Sequence, residues 1–164
     1  TKNYMKHTIF TRELAARGDL LTDDKDQNVL ILMKLDKVIE KNFISLKPTM
    51  TLGEMLHKGV SKSTRNLFPV CDQNNILVGI ILLDSIREIM FNQDLYKTTT
   101  VKEYMQQPPE YIIYGTDTMQ TVMRKFQDSA AWNLPVVKNG KYLGFVSKSK
   151  LLTAYRRQLI NFTQ

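Results

Sequence analysis

Disulfides are ruled out by composition: the chain has one cysteine, Cys71, among 164 residues. A single thiol forms no internal bridge and fits a reducing compartment. Histidine is nearly as scarce. His7 and His57 are the only two, and their separation in sequence argues against a Cys/His zinc site. Long apolar runs are also missing. The longest, ILVGIILL, is strand-length, far short of the roughly 20 residues a membrane-spanning helix needs. The opening TKNYMKHTIFTRELAARG is polar and mixed, which is not a signal-peptide pattern. TKNYMKH does not read as a natural start, so a fragment of a longer protein is expected. The phosphate-cradling pattern GxxxxGK[ST], the dinucleotide pattern GxGxxG and the nucleophile pattern GxSxG are all absent. The paired carboxylates Asp23 and Asp24 sit where a helix begins, which accounts for them. No enzyme is expected.

What is present is ordinary for a globular protein: 43% hydrophobic and 24% charged residues. The length suits one compact domain or two small halves sharing a core. A formal charge of +7 admits two readings, an acidic partner (nucleic acid, anionic headgroups or nucleotide phosphates) or a solvated basic surface. Nucleic acid is the poorest of these, because no aromatic residues interleave with a basic stripe.

The informative feature is a duplication. NLFPVCDQNNILVGIILLDSI and NLPVVKNGKYLGFVSKSKLL say nearly the same thing: a short apolar run with a proline, a turn, a second run with a glycine, then a helix start. Pro69 pairs with Pro135 and Gly79 with Gly144, a period of about 66 residues. In the first copy LDKVI reads as a short helix, FISL as a strand, and TLGEML as a helix opened by the capping box Thr51/Glu54. DSIREIMF reads as the closing helix, with Ile86, Ile89 and Met90 on one face. In the second copy VKEYM and YIIY match LDKVI and FISL. TMQTVMRKF carries Met119, Val122, Met123 and Phe126 on one face, and Asn139-Gly140 signals a two-residue hairpin. The expected fold class is α/β (α+β), with two pseudo-symmetric three-stranded sheets and flanking helices. Residues 1–34 read as a connecting arm, 35–98 as the first repeat and 99–164 as the second. Within the arm TRELAARG ends at Gly18, and Thr22 is a plausible N-cap for the next helix. Neither half is large enough to hide its apolar face alone, so the halves are expected to bury each other and the chain to form a homodimer.

In the order of these elements each half resembles a CBS motif, and the pair resembles a CBS-pair (Bateman) module over roughly 33–164. The arm HTIFTRELAARGDLLTDDKDQNVLILMKLDKVI resembles the segment joining the last membrane helix of a prokaryotic ClC-type chloride channel or antiporter to its cytoplasmic CBS pair. That resemblance implies a regulatory domain on the cytoplasmic side of a membrane, with the transmembrane domain of its own chain as partner. The alternative is a ligand-independent structural module of the same channel.

The resemblance also implies adenine nucleotides (ATP, ADP or AMP) in two clefts between the halves. The family's ribose-contacting pattern runs from a glycine to a Ser or Thr three residues on and an acid six on. Here those positions hold Leu82 and Ser85 in the first copy, with Asp84 one residue early, and Ser147 and Lys150 in the second. An acid suits ribose because a carboxylate accepts from both hydroxyls, and neither copy has it in register. The better-equipped cleft by this resemblance combines Thr99, Thr100, Tyr111 and Ile112 with Asp84 and Ser85. The second combines Ile44, Ser147 and Lys150. Thr99 and Thr100 also suit a helix cap, and both readings stand. Cys71 and the Met119/Met123 stripe read as core, and His57 as a residue on a polar helix face. Trp132 reads as core packing at a helix–strand junction in preference to an interface anchor or ligand stacker. Lys148, Lys150, Arg156 and Arg157 make one helix face basic. This is a solvated face by default, with contact to anionic headgroups as a second reading.

Overall fold

The computed structural model describes residues 33–163; the expectations for His7, Gly18, Thr22, Asp23 and Asp24 lie outside them. The chain divides into two compact units. One comprises Lys41–Pro108 with Val137–Gly144; the other comprises the residues up to Glu40, Pro109–Val136 and those from Phe145 onward.

In the first unit β1 (Leu67–Cys71) and β2 (Leu77–Leu82) pair antiparallel from Leu67↔Leu82 to Cys71↔Leu77, with a register shift between Val70 and Cys71. Both strands are mostly buried runs of branched and aromatic side chains, as a covered sheet requires. Asp72 closes the turn: its carboxylate accepts from the amides of Asn74 at 2.8 Å and Ile76 at 3.0 Å. The expected strand FISL contracts to a parallel bridge at Leu46, which donates to Pro69 O at 2.8 Å and accepts from Cys71 N at 2.9 Å. Helix α1 (Leu52–Lys58) begins with the expected capping box. Thr51 N donates to the Glu54 carboxylate at 3.0 Å, and Glu54 N donates to Thr51 Oγ1 at 3.2 Å. Helix α2 (Leu83–Ile86) is shorter than expected. After it the chain tightens, with the Ile89 amide on Ile86 O at 3.1 Å, and the Tyr96 hydroxyl takes the Met90 carbonyl at 2.6 Å. Leu46, Leu52, Met55, Phe68, Val70, Ile81, Ile86 and Val101 form the buried cluster.

Val101 opens α3 (Val101–Tyr104). Its amide donates to Met50 O at 2.8 Å, and the Leu52 amide donates to Thr99 O at 2.7 Å. Sequence from the start of the second repeat is therefore built into the core that also holds Leu52 and Phe68.

The second sheet has the order β3 (Ile112–Ile113), β4 (Asn133–Lys138), β5 (Lys141–Ser147). Asn139 and Gly140, both at positive φ (54° and 80°), make the expected hairpin turn. In the second unit, α4 (Met119–Ser129) buries Met119, Val122, Met123 and Phe126, the stripe read from the sequence. It ends at Ala130, whose φ of 55° places it in the left-handed region and whose amide donates to Phe126 O. Helix α5 (Lys148–Thr163) closes the unit, with Leu151, Leu152 and Tyr155 buried. The Lys125 ammonium, at 2.7 Å from Asp117 Oδ2 and 2.8 Å from Tyr111 O, ties α4 to the chain around β3. Among the described residues no helix is long and apolar enough to cross a membrane.

Candidate functional site

Asp84, Ser85, Thr99 and Thr100 all belong to the first unit, as does Ile44; Tyr111, Ile112, Ser147 and Lys150 belong to the second. Asp84 and Ser85 lie on α2, directly after β2. Asp84 is exposed, and its carboxylate forms an i,i+3 pair with Arg87 at 2.5 Å. Ser85 is also exposed, and its hydroxyl faces Gln106 Oε1 at 3.4 Å.

Gln106, beside the candidate Ser85, is a residue that the sequence did not single out. The chain after α3 crosses β2, where Gln106 and Ile80 exchange both backbone hydrogen bonds, at 2.8 and 2.9 Å. This crossing needs Gly79. A Cβ there would stand 3.0 Å from Met105 Sδ and 3.2 Å from Gln106 O. A glycine inside a strand signals such a close approach, and that was the available clue. Gln107 adds a side-chain bond to Val78 O at 2.8 Å, so the crossing is fixed on both sides of Gly79.

Thr100 is a cap in this structure. It precedes α3, and the Glu103 carboxylate accepts from its amide at 2.8 Å and its hydroxyl at 3.2 Å. A ligand at that hydroxyl has to compete with a carboxylate three residues away. Thr99 is buried at 8% exposure and bridges α1 through its carbonyl. The two capping threonines, Thr51 and Thr100, lie across from each other in an antiparallel bridge. Two helix starts, each with a glutamate at its third position, therefore share one short backbone contact.

In the second unit Tyr111 is half-buried, and burial pushes its phenol above the ordinary value. Ile112 is fully buried. Asp117 Oδ2 receives the Ile113 amide at 2.9 Å as well as Lys125, so this stretch is occupied by internal structure. Ser147 caps α5 by accepting from the Lys150 amide at 3.1 Å, and the Lys150 side chain is exposed. A pocket of about 220 Å³ in this unit is lined by Met33, Lys34, Lys37, Val38, Ala154 and Gln158, none of them a residue expected at a site.

Cys71 is buried, as expected, and burial raises its thiol pKa. His57 is exposed on α1. Trp132 is corrected by the structure: it is 73% exposed and not part of a core. The buried places beside it go to Leu134 and Val136. The Trp132 carbonyl receives the Lys148 amide at 2.8 Å, and the Lys148 ammonium lies 5.2 Å from the ring centroid. Among the described residues no cluster of His, Cys, Asp and Glu could hold a metal ion.

Comparison with known proteins gives the fold a family. None of the curated proteins compared matches the chain. Among solved structures, CbpB in complex with c-di-AMP superposes with a TM-score of 0.66 at 20% identity, covering 85% of this chain and 95% of that one. CBSX2 in complex with AMP gives 0.58 at 22% identity, covering 74% and 94%. The CBS domain of a bacterial CNNM/CorC family Mg2+ transporter in complex with ATP gives 0.66 at 13% identity, covering 80% and 92%. The family model described as CBS domain matches twice, at residues 35–92 and 101–157. With two matched copies spanning well over half its length, the chain belongs to the CBS domain family.

Proposed function

We propose that this CBS pair is a regulatory module that senses an adenine nucleotide and has no catalytic role of its own. The observation that carries this reading is the polar patch of the first unit. Ser85 on α2 faces Gln106, which the Gly79 crossing holds in place, and Asp84 next to it in sequence is exposed and paired with Arg87. The patch offers exposed acceptors for ribose hydroxyls even though the family's acid is out of register. The ligands of the structural neighbours, c-di-AMP, AMP and ATP, support adenine as the common element. Asp84, Ser85, Thr99 and Thr100, all of the first unit, are the favoured contacts.

Calorimetric titration with AMP, ADP, ATP and c-di-AMP tests this. Losing one hydrogen bond to a charged group costs about 1.5–3 kcal/mol, so a dissociation constant on the order of tens of micromolar is expected. Ser85→Ala and Gln106→Ala should each weaken binding, Thr100→Ala should weaken it less, and Lys150→Ala should matter only to a phosphate-rich ligand. Absence of heat with all four nucleotides would favour the ligand-independent dimerisation module. Phe91, an apolar side chain left 82% exposed, supports self-association, and a monomer by sedimentation at high concentration would count against it. We also infer a ClC-type membrane domain as the module's covalent partner, from the resemblance carried by residues 7–39. A reading frame that does not extend upstream into membrane-spanning segments would overturn this.

A further inference from the structure

The charge of this chain is not spread evenly. Residues 129–164 hold six of the 23 basic residues and none of the 16 acidic ones, so they carry a formal +6 and the 128 residues before them carry +1. Four of the six, Lys148, Lys150, Arg156 and Arg157, stand on α5, which has no acid of its own. Leu151, Leu152 and Tyr155 face inward, whereas Lys150, Thr153, Arg156, Arg157 and Ile160 are exposed. Spacings of three, four and seven residues place these exposed positions on one outward arc of the helix. One large apolar side chain stands on that arc and another is exposed at the N-terminal end of the helix. Ile160 is 56% exposed, and Trp132, fastened beside the first turn through Lys148, is 73% exposed.

We propose that this face of α5 docks on an anionic membrane surface, with Lys150, Arg156 and Arg157 toward lipid phosphates and Trp132 and Ile160 in the headgroup layer. The combination selects the partner. Basic side chains alone would suit any polyanion, but an exposed tryptophan and isoleucine beside them gain from the apolar side of a lipid interface. A nucleic-acid backbone offers an isoleucine no such gain. A second copy presenting the same face would set like charges against each other. Each basic residue held near an anionic surface contributes about 1 kcal/mol, roughly fivefold in partitioning. The proposal is independent of nucleotide binding.

The test uses the whole chain, vesicles of equal parts phosphatidylglycerol and phosphatidylcholine, and vesicles of phosphatidylcholine alone. Trp132 is the sole tryptophan, so its emission reports directly on the face. The expected result is co-sedimentation with the anionic vesicles and a blue shift of emission. Both should be lost toward 1 M salt, where the screening length falls to about 3 Å. The triple variant Lys150→Glu, Arg156→Glu, Arg157→Glu should partition more weakly by at least on the order of 100-fold. The corresponding triple glutamine variant, with its fold checked by circular dichroism, replaces it if the glutamates prevent folding. Trp132→Ser should weaken co-sedimentation severalfold. Equal binding to neutral vesicles, no binding to anionic ones, or a triple variant that binds like the parent would each overturn the proposal. So would tight binding of duplex DNA, or loss of self-association in the triple variant, with the vesicles left unbound.

Discussion

Asp117 answers two donors with one oxygen, the Ile113 amide and the Lys125 ammonium, and does so with its side chain 8% exposed. Removing it deprives a part-buried amide of its acceptor and leaves the mostly buried Lys125 cation to the Tyr111 carbonyl, without its counter-charge. Asp117→Ala should therefore destabilise the protein by about 3 kcal/mol, read as a fall in urea midpoint, and Asp117→Asn, which keeps the acceptor, should fall between it and the parent. Gly79 makes a different point. Its neighbour Gln106 O is already held by Ile80 and cannot retreat, so Gly79→Ala should cost about 1–3 kcal/mol by overpacking. On the proposed function the same variant should also weaken nucleotide binding, because the strain it introduces falls on the crossing that carries Gln106. Residue identity alone made Asp84 and Ser85 legible as candidates, since a family pattern is local in sequence. It could not reveal Gln106, which reaches Ser85 only through a strand crossing, or the exposure of Trp132, which depends on which neighbours take the inward places.

At the scale of elements, the Thr51/Glu54 capping box is the clearest signal, because it settles a helix start within four residues. Hairpin strands and the Met119–Phe126 stripe were legible for the same reason: period and turn chemistry are written locally. FISL and DSIREIMF were read as longer than they are, because where a strand or helix stops depends on tertiary partners, Pro69 and Cys71 for one and Tyr96 for the other. Thr51→Ala should cost about 1 kcal/mol. The box also has a pH signature. The backbone bond from Thr51 leads in holding the Glu54 carboxyl below its ordinary 4.5, with Lys58 assisting. A folded-state value below the unfolded one means the contribution is full above the unfolded value and is lost as pH falls through the folded one. Urea midpoints at pH 7 and pH 3 should differ less for Glu54→Gln than for the parent, and an unchanged difference would remove Glu54 from the acid limb.

For the whole molecule, the duplication announced the fold, yet the compact units do not follow the repeats. Val101 belongs to the same core as Phe68, and the second unit gathers residues before Glu40 with residues after Phe145. A chain ending at Gly144 lacks Phe145, Val146, Leu151 and Tyr155, all buried. It should show no protected second unit by limited proteolysis, while Lys41–Pro108 with the hairpin tip is present in full. The Glu40–Phe145 bridge, with bonds of 2.7 and 2.9 Å in both directions, adds a clock to this. Its two residues are about 100 positions apart, and a ribosome adding roughly 5–20 residues per second delivers the later one on the order of ten seconds after the earlier. During that interval Val38, fully buried in the finished protein, waits without its partners on a nascent chain. The early segment therefore stays exposed until late in synthesis, and slow synonymous codons between positions 109 and 145 would lengthen its exposure.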